Sequence, residues 1–218
     1  MTAPPAFRLY LWSHRALYLG LSPDNDVHSH HAAQLCVSLG EPLRYRTDSH
    51  SRWSTGLGVL IPPDHPHQLD SGSARILALY WEPESDDYPL KDAAHTVQPL
   101  SLTTSACDTL RSLIDRQVDA DRAWSVCASA LRLSTHHQSI LTDARIQTVV
   151  ERIRSQPHRT YTGQELADLV SLSPSRLRHL FKRDLGVPVR RFIVWSRLRA
   201  VIEDALKGSS LTEAAHAA

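Results

Sequence analysis

The hydrophobic period of this chain changes once, near residue 100, and the change limits what the chain can become. Up to about Pro83 the apolar residues come in short runs, Arg15–Leu21, Ala33–Leu39, Leu43–Thr47, Trp53–Ile61 and Ala74–Trp81. These runs are rich in β-branched and aromatic side chains and are separated by Gly, Pro, Asp and Ser, as strands are. Leu57, Val59 and Ile61 alternate in the manner of a half-buried strand. Several short strands at this spacing fit a small sandwich or barrel. The acidic stretch from Glu82 to Pro99 reads as a loop or a weak final strand. From Ser101 the spacing becomes helical. Leu110, Leu113, Ile114 and Val118 form one stripe, and Ala123, Cys127, Ala130 and Leu131 form another. Asp119-Ala120-Asp121 between them predicts a turn with an N-cap, hence an αα-hairpin. Its apolar stripe packs on the chain's own strands or forms a dimer interface; the pattern fits both. Leu133–Ile140, with His136 and His137, reads as a solvated linker.

Charge follows the same division. From Ile140 to Ala218 there are 13 Lys+Arg against 8 Asp+Glu; the remainder has 11 against 15. A basic C-terminal part on an acidic N-terminal part points to one module that meets a polyanion and one that does not. No run of eighteen apolar residues occurs, and no basic region followed by an apolar stretch opens the chain. Neither a membrane span nor a secretory signal is expected. Cys36, Cys107 and Cys127 are far apart and odd in number, which fits a reducing cytoplasm, with Cys36 and Cys127 as core residues. No P-loop, dinucleotide or Ser-His-Asp signature is present.

Thr142 to Gly208 is the most informative stretch. Thr142 is expected to cap a helix running to about Ser155, with Ile146, Val149, Val150 and Ile153 on one face, and Pro157 stops it. Thr162-Gly163-Gln164-Glu165 is a capping box opening a short helix, Gly163–Val170. After Ser171-Leu172, Ser173-Pro174 starts another helix, which Gly186 ends. Two capped helices across a tight turn predict a helix-turn-helix. On the second helix Leu177, Leu180 and Phe181 face a core. Ser175, Arg178, His179 and Lys182, at i, i+3, i+4 and i+7, form a polar stripe opposite, flanked by Arg176 and Arg183. Such a stripe suits a major groove, with Arg on guanine and with Lys182 and Arg183 placed for phosphates.

The run from Leu166-Ala167 through Ser171-Leu172-Ser173-Pro174-Ser175-Arg176-Leu177-Arg178-His179-Leu180-Phe181-Lys182, then Gly186-Val187-Pro188, Phe192 and Arg197-Leu198, resembles the DNA-binding domain of the AraC/XylS family. The resemblance implies a transcription regulator with two helix-turn-helix units joined by a long helix, here Pro188–Lys207 ended by Gly208. It implies base contacts from Ser175, Arg178 and His179, and Ser210-Leu211-Thr212-Glu213 would open the second unit. Phe192 replaces the commoner tyrosine, and Val201 a common alanine. The family's second recognition helix has no counterpart before Ala218, so the chain as written is expected to bind duplex DNA weakly or only as a homodimer. An activator of this type would also meet RNA polymerase.

The N-terminal strands raise a further possibility. His28-Ser29-His30 places two imidazoles on one face of an extended segment, followed by Gln34. Ile61-Pro62-Pro63-Asp64-His65-Pro66-His67 resembles the second cupin motif, with Asp64 in place of glycine. The cupin resemblance implies a metal site of His28, His30 and His67 with Gln34 in the glutamate's position, suited to Zn, Ni, Fe or Mn. The same residues also serve as plain scaffold in sensor domains. His31, His50 and His65 are read as surface or loop residues. Tyr45, Trp53 and Trp81 are candidates for an effector pocket, or plain core. The expected fold is therefore α+β: a cupin-like β-barrel sensing domain over 1–100, a hairpin and linker over 101–139, and an all-α DNA-binding domain over 140–218. The alternative is a metal-dependent cupin enzyme, a dioxygenase or isomerase, with a helical appendage. That reading leaves the C-terminal caps and basic stripe unexplained.

Overall fold

Nine short strands and six helices follow one another along the chain, with a single switch from strand to helix after residue 99. The computed structural model describes residues 7–22, 25–85, 96–133 and 143–206. The chain divides into two compact units, Met1–His137 and Gln138–Ala218. No helix among the described residues is long and apolar enough to cross a membrane.

The first unit opens with β1 (Phe7–Leu11), β2 (Arg15–Leu21), β3 (Ala33–Ser38) and β4 (Leu43–Arg46). It continues with β5 (Ser54–Gly56), β6 (Gly58–Ile61), β7 (Gln68–Asp70), β8 (Arg75–Trp81) and β9 (Gln98–Pro99). An antiparallel six-stranded sheet runs in the order β1-β2-β8-β3-β6-β9, and a three-stranded sheet in the order β5-β4-β7. The strands thus make two sheets and do not close into the expected barrel. The run Trp53–Ile61, read as one strand, breaks at Leu57. Ser54–Gly56 pairs with β4, whereas Gly58–Ile61 pairs with β3. Pro99 terminates the far edge, where its missing N–H is no loss.

Period-2 alternation assigns each side chain to one of two cores. Leu17, Leu19, Leu35, Val37, Leu77, Leu79 and Trp81 face the helices α1 (Thr104–Asp115) and α2 (Ala120–Leu131), where they meet Leu110, Leu113, Ala123 and Cys127. Cys36, Val59, Ile61, Ile76 and Ala78 face the other way, onto Leu43, Tyr45 and Leu69 of the small sheet. All six residues of β3 are buried because its sheet is covered on both faces. The hairpin's apolar stripe is therefore spent on its own sheet. As expected from the sequence, Asp119 caps α2, accepting from the Arg122 N–H at 2.8 Å. At the other end of the unit, Arg8 of β1 donates to the Ile114 and Arg116 carbonyls that end α1, which has no basic residue in its last turn.

The second unit holds α3 (Ala144–Ser155), α4 (Gly163–Asp168), α5 (Pro174–Leu185) and α6 (Val189–Leu206). Ile146, Val149, Val150 and Ile153 pack with Leu166, Ala167, Leu177, Leu180, Phe181 and Phe192. The Phe181 and Phe192 rings meet edge-on with centroids 5.6 Å apart. The cap of α3 is Asp143, which accepts from the Arg145 N–H at 3.0 Å. Thr142, the linker histidines His136 and His137, Lys207-Gly208 and the box Ser210–Glu213 lie outside the described residues. The capping box at Thr162/Glu165, Ser173 with Pro174, and Gly186 with φ 76° all occur where the sequence puts them. Ser171, φ 54°, makes the left-handed step between α4 and α5.

Candidate functional site

Each unit carries one candidate site. In the first, His28 and His67 form an isolated antiparallel bridge. The His28 N–H donates to the His67 carbonyl at 3.0 Å, and the His67 N–H donates to the His28 carbonyl at 2.8 Å. The bridge sets their rings 4.4 Å apart. Two residues along an extended segment return a side chain to the same face, so His30 joins them at 5.8 Å from His28 and 5.0 Å from His67. One ring nitrogen from each histidine lies within 4.8 Å of the other two. The three Nδ1 atoms each face a backbone carbonyl: His28 that of Asp26 at 2.9 Å, His30 that of Ala32 at 2.8 Å, His67 that of His65 at 2.8 Å. A neutral ring in that contact carries its proton on Nδ1 and keeps a lone pair on Nε2.

Burial rises from the exposed His28 through the half-buried His30 to His67. Desolvation pushes the His67 pKa down to about 4 and also lowers that of His30, so both rings are unprotonated at neutral pH. The His67 Nε2 is buried and has no hydrogen-bond partner. Such an orphan is costly unless something binds it. Gln34, 3% exposed on β3, brings its Oε1 to 3.0 Å from His30 Nε2. Unprotonated, inward-facing nitrogens fixed through their Nδ1 hydrogens are what a first-row metal needs. The residues present fit such an ion after small ring movements.

The structure separates the three residues proposed for an effector pocket. Trp81 lies in the core under α1 and α2, with its ring 6.1 Å from Trp124. Tyr45 lies between the two sheets. Trp53 is flanked by the Arg44 and Arg46 guanidiniums, 5.1 and 4.7 Å from its ring. Trp81 and Tyr45 are on opposite faces of the six-stranded sheet, so no one pocket takes them both. Residues nearer the histidines are Tyr80, whose ring is 5.6 Å from that of His30, and Cys36, whose thiol burial pushes up to about 12. His31 is corrected from a surface residue to a buried one: its Nε2 is 2.8 Å from the Glu84 carboxylate, both side chains fully covered. His50 is exposed, as expected, and His65 is half-buried.

In the second unit Leu177, Leu180 and Phe181 are buried under α5. Ser175, Arg176, Arg178, His179, Lys182 and Arg183 are all exposed. The stripe and its packed underside stand as the spacing requires. Arg183 differs from the others. Its guanidinium is 2.6 Å from the buried Asp184 and 4.0 Å from Asp143, so it ties the end of α5 to the start of α3. The hydrogen bond to Asp184 raises its pKa further. Adjacent Arg and Asp in the sequence are the only hint of this pairing; the third partner is 40 positions away and invisible to local pattern.

No protein-family model and no curated protein sequence matches the chain. Solved structures do. Apo ToxT K231A from Vibrio cholerae strain SCE256 superposes with a TM-score of 0.58 at 9% identity, covering 94% of this chain and 85% of that one. ToxT from Vibrio cholerae O395 bound to (E)-4-(8-methylnaphthalen-1-yl)but-3-enoic acid gives 0.57 at 10%, over 97% and 89%. Wild-type ToxT with bound unsaturated fatty acid gives 0.51 at 12%, over 96% and 85%. At these identities the likeness is one of fold, and it spans nearly the whole chain.

Proposed function

We propose that this chain is a sequence-specific, ligand-controlled transcription regulator of the AraC type. The observation that carries the reading is α5: a helix capped at both ends, with Leu177, Leu180 and Phe181 buried beneath it and an uncovered cationic stripe above. In this reading α4, the turn at Ser171 and α5 are a helix-turn-helix. Ser175, Arg178 and His179 reach base edges, and Arg176 and Lys182 reach phosphates. Arg183 is engaged with carboxylates of its own unit and contributes positioning in place of a phosphate contact. ToxT, which shares the fold, is an AraC-family regulator with an N-terminal cupin-like domain, and its structures with a fatty acid or a butenoic acid support a small-molecule site in this chain's first unit.

The first unit is the sensor. His28, His30 and His67, with Gln34, would hold a divalent transition metal (Zn, Ni, Fe or Mn), which would supply a Lewis-acidic anchor for a ligand. The chain's own part is to keep the three nitrogens unprotonated by burial and to fix the rings through backbone carbonyls. A homodimer would need a surface other than the buried stripe of α1 and α2. The test is selection of bound duplexes from a random-sequence pool with the full chain, followed by titration at several salt concentrations. Arg178→Ala should relax the preference at one position and cost about 1–3 kcal/mol there. Lys182→Ala should weaken all sequences alike and reduce the salt slope by about 1. Failure to retain any duplex at low salt would sink the reading.

A further inference from the structure

The side chain beside the three histidines is an amide where a carboxylate would neutralise a cation. Gln34 Oε1 stands 3.0 Å from His30 Nε2, while the His30 Nδ1–H is given to the Ala32 carbonyl. A neutral imidazole in that arrangement points a lone pair at the amide oxygen's lone pair. The contact is resolved by turning the amide to offer its NH2 or by a cation received by both. The four donors, three imidazoles and one carboxamide, carry no charge. Among the described residues no carboxylate belongs to the donor group. Asp64 is near enough to His30 to be felt but stands outside that group.

A dication on four neutral donors keeps its full charge at a place where Gln34 and His67 are almost completely buried. Uncompensated charge in such a setting is expensive, and a counter-ion relieves it. The cluster is open to solvent on the His28 side, and an aromatic ring, Tyr80, stands edge-on to His30. We infer that Gln34 makes this centre an anion receptor. The effector class is a small carboxylate with an apolar body, taken up as the counter-charge of a dication that the four neutral side chains hold. The inference rests on the metal-centre reading above and deepens it: Gln34 is a specificity-determining residue, and the carboxylate is the regulating ligand.

The experiment uses the full chain loaded with Co(II), whose visible absorption reports its ligands, and titrates benzoate and acetate. The wild-type spectrum should shift saturably, and more tightly with benzoate. Gln34→Glu should hold Co(II) more firmly against a competing chelator yet bind benzoate about tenfold more weakly or worse, the scale of one unit charge set beside the anion. Gln34→Leu, neutral and non-coordinating, should bind Co(II) less well but keep the benzoate shift, and it decides the matter if the Glu variant does not fold. A wild-type spectrum indifferent to both acids, or equal benzoate affinity in wild type and Gln34→Glu, overturns the inference while leaving the metal centre standing. Absence of Co(II) binding by the wild type overturns both and is told apart by that result alone.

Discussion

Single carboxylates and hydroxyls fix where the helices of the second unit begin. Asp143 accepts from the Arg145 backbone at 3.0 Å and pairs with its guanidinium at 2.8 Å, and this pairing holds the Asp143 pKa at about 2 against a usual 3.8. A group whose pKa is lower when folded stabilises the fold above its unfolded value and loses that contribution as pH falls through the folded one. Helical circular dichroism should therefore show an acid-induced loss of the second unit between about pH 4 and pH 2. In Asp143→Asn, which can still cap, part of that pH dependence should vanish. Ser173→Ala removes the cap of α5 and should cost about 1 kcal/mol in a denaturant melt. Most of the caps were legible in the sequence because each involves neighbours within three residues. The His31–Glu84 pair was not, since its partners are separated by 53 positions.

Elements were legible in proportion to how local their pattern is. The faces of α5 follow from spacing alone, and substitutions should separate them. Leu180→Ala, at a site 1% exposed, should destabilise by about 2–5 kcal/mol. Arg178→Ala, on the open face, should stay within about 0.5 kcal/mol of the wild type in the same urea titration. Strands were harder. Alternation in Trp53–Ile61 shows which residues point the same way but not which sheet they join, and the break at Leu57 is decided by partners far off in sequence. β1 escaped notice because Phe7–Leu11 sits on an edge and carries Arg8 in its middle. The histidine face was legible as a motif, whereas the orphaned Nε2 of His67 and the three backbone-bound Nδ1 atoms required coordinates. The effector residues were misjudged as a group because aromatic type says nothing about which core a side chain enters.

At the scale of the molecule, two units with separate cores should melt separately. Calorimetry of the full chain should show two transitions, and Leu180→Ala should lower one of them while leaving the other in place. A single transition that moves as a whole would contradict the division at His137. Within the first unit, one sheet serves two cores: β8 gives Leu77, Leu79 and Trp81 to the hairpin side and Ile76 and Ala78 to the side where the smaller sheet lies. That sheet is a partition one backbone thick. A guest wedged among the tyrosines on one side leans on the reverse of the very strand that α1 and α2 rest against. Close-packed interiors compress little and pass strain onward, so occupancy on one side of the partition is felt by the helices on the other without any side chain bridging the two.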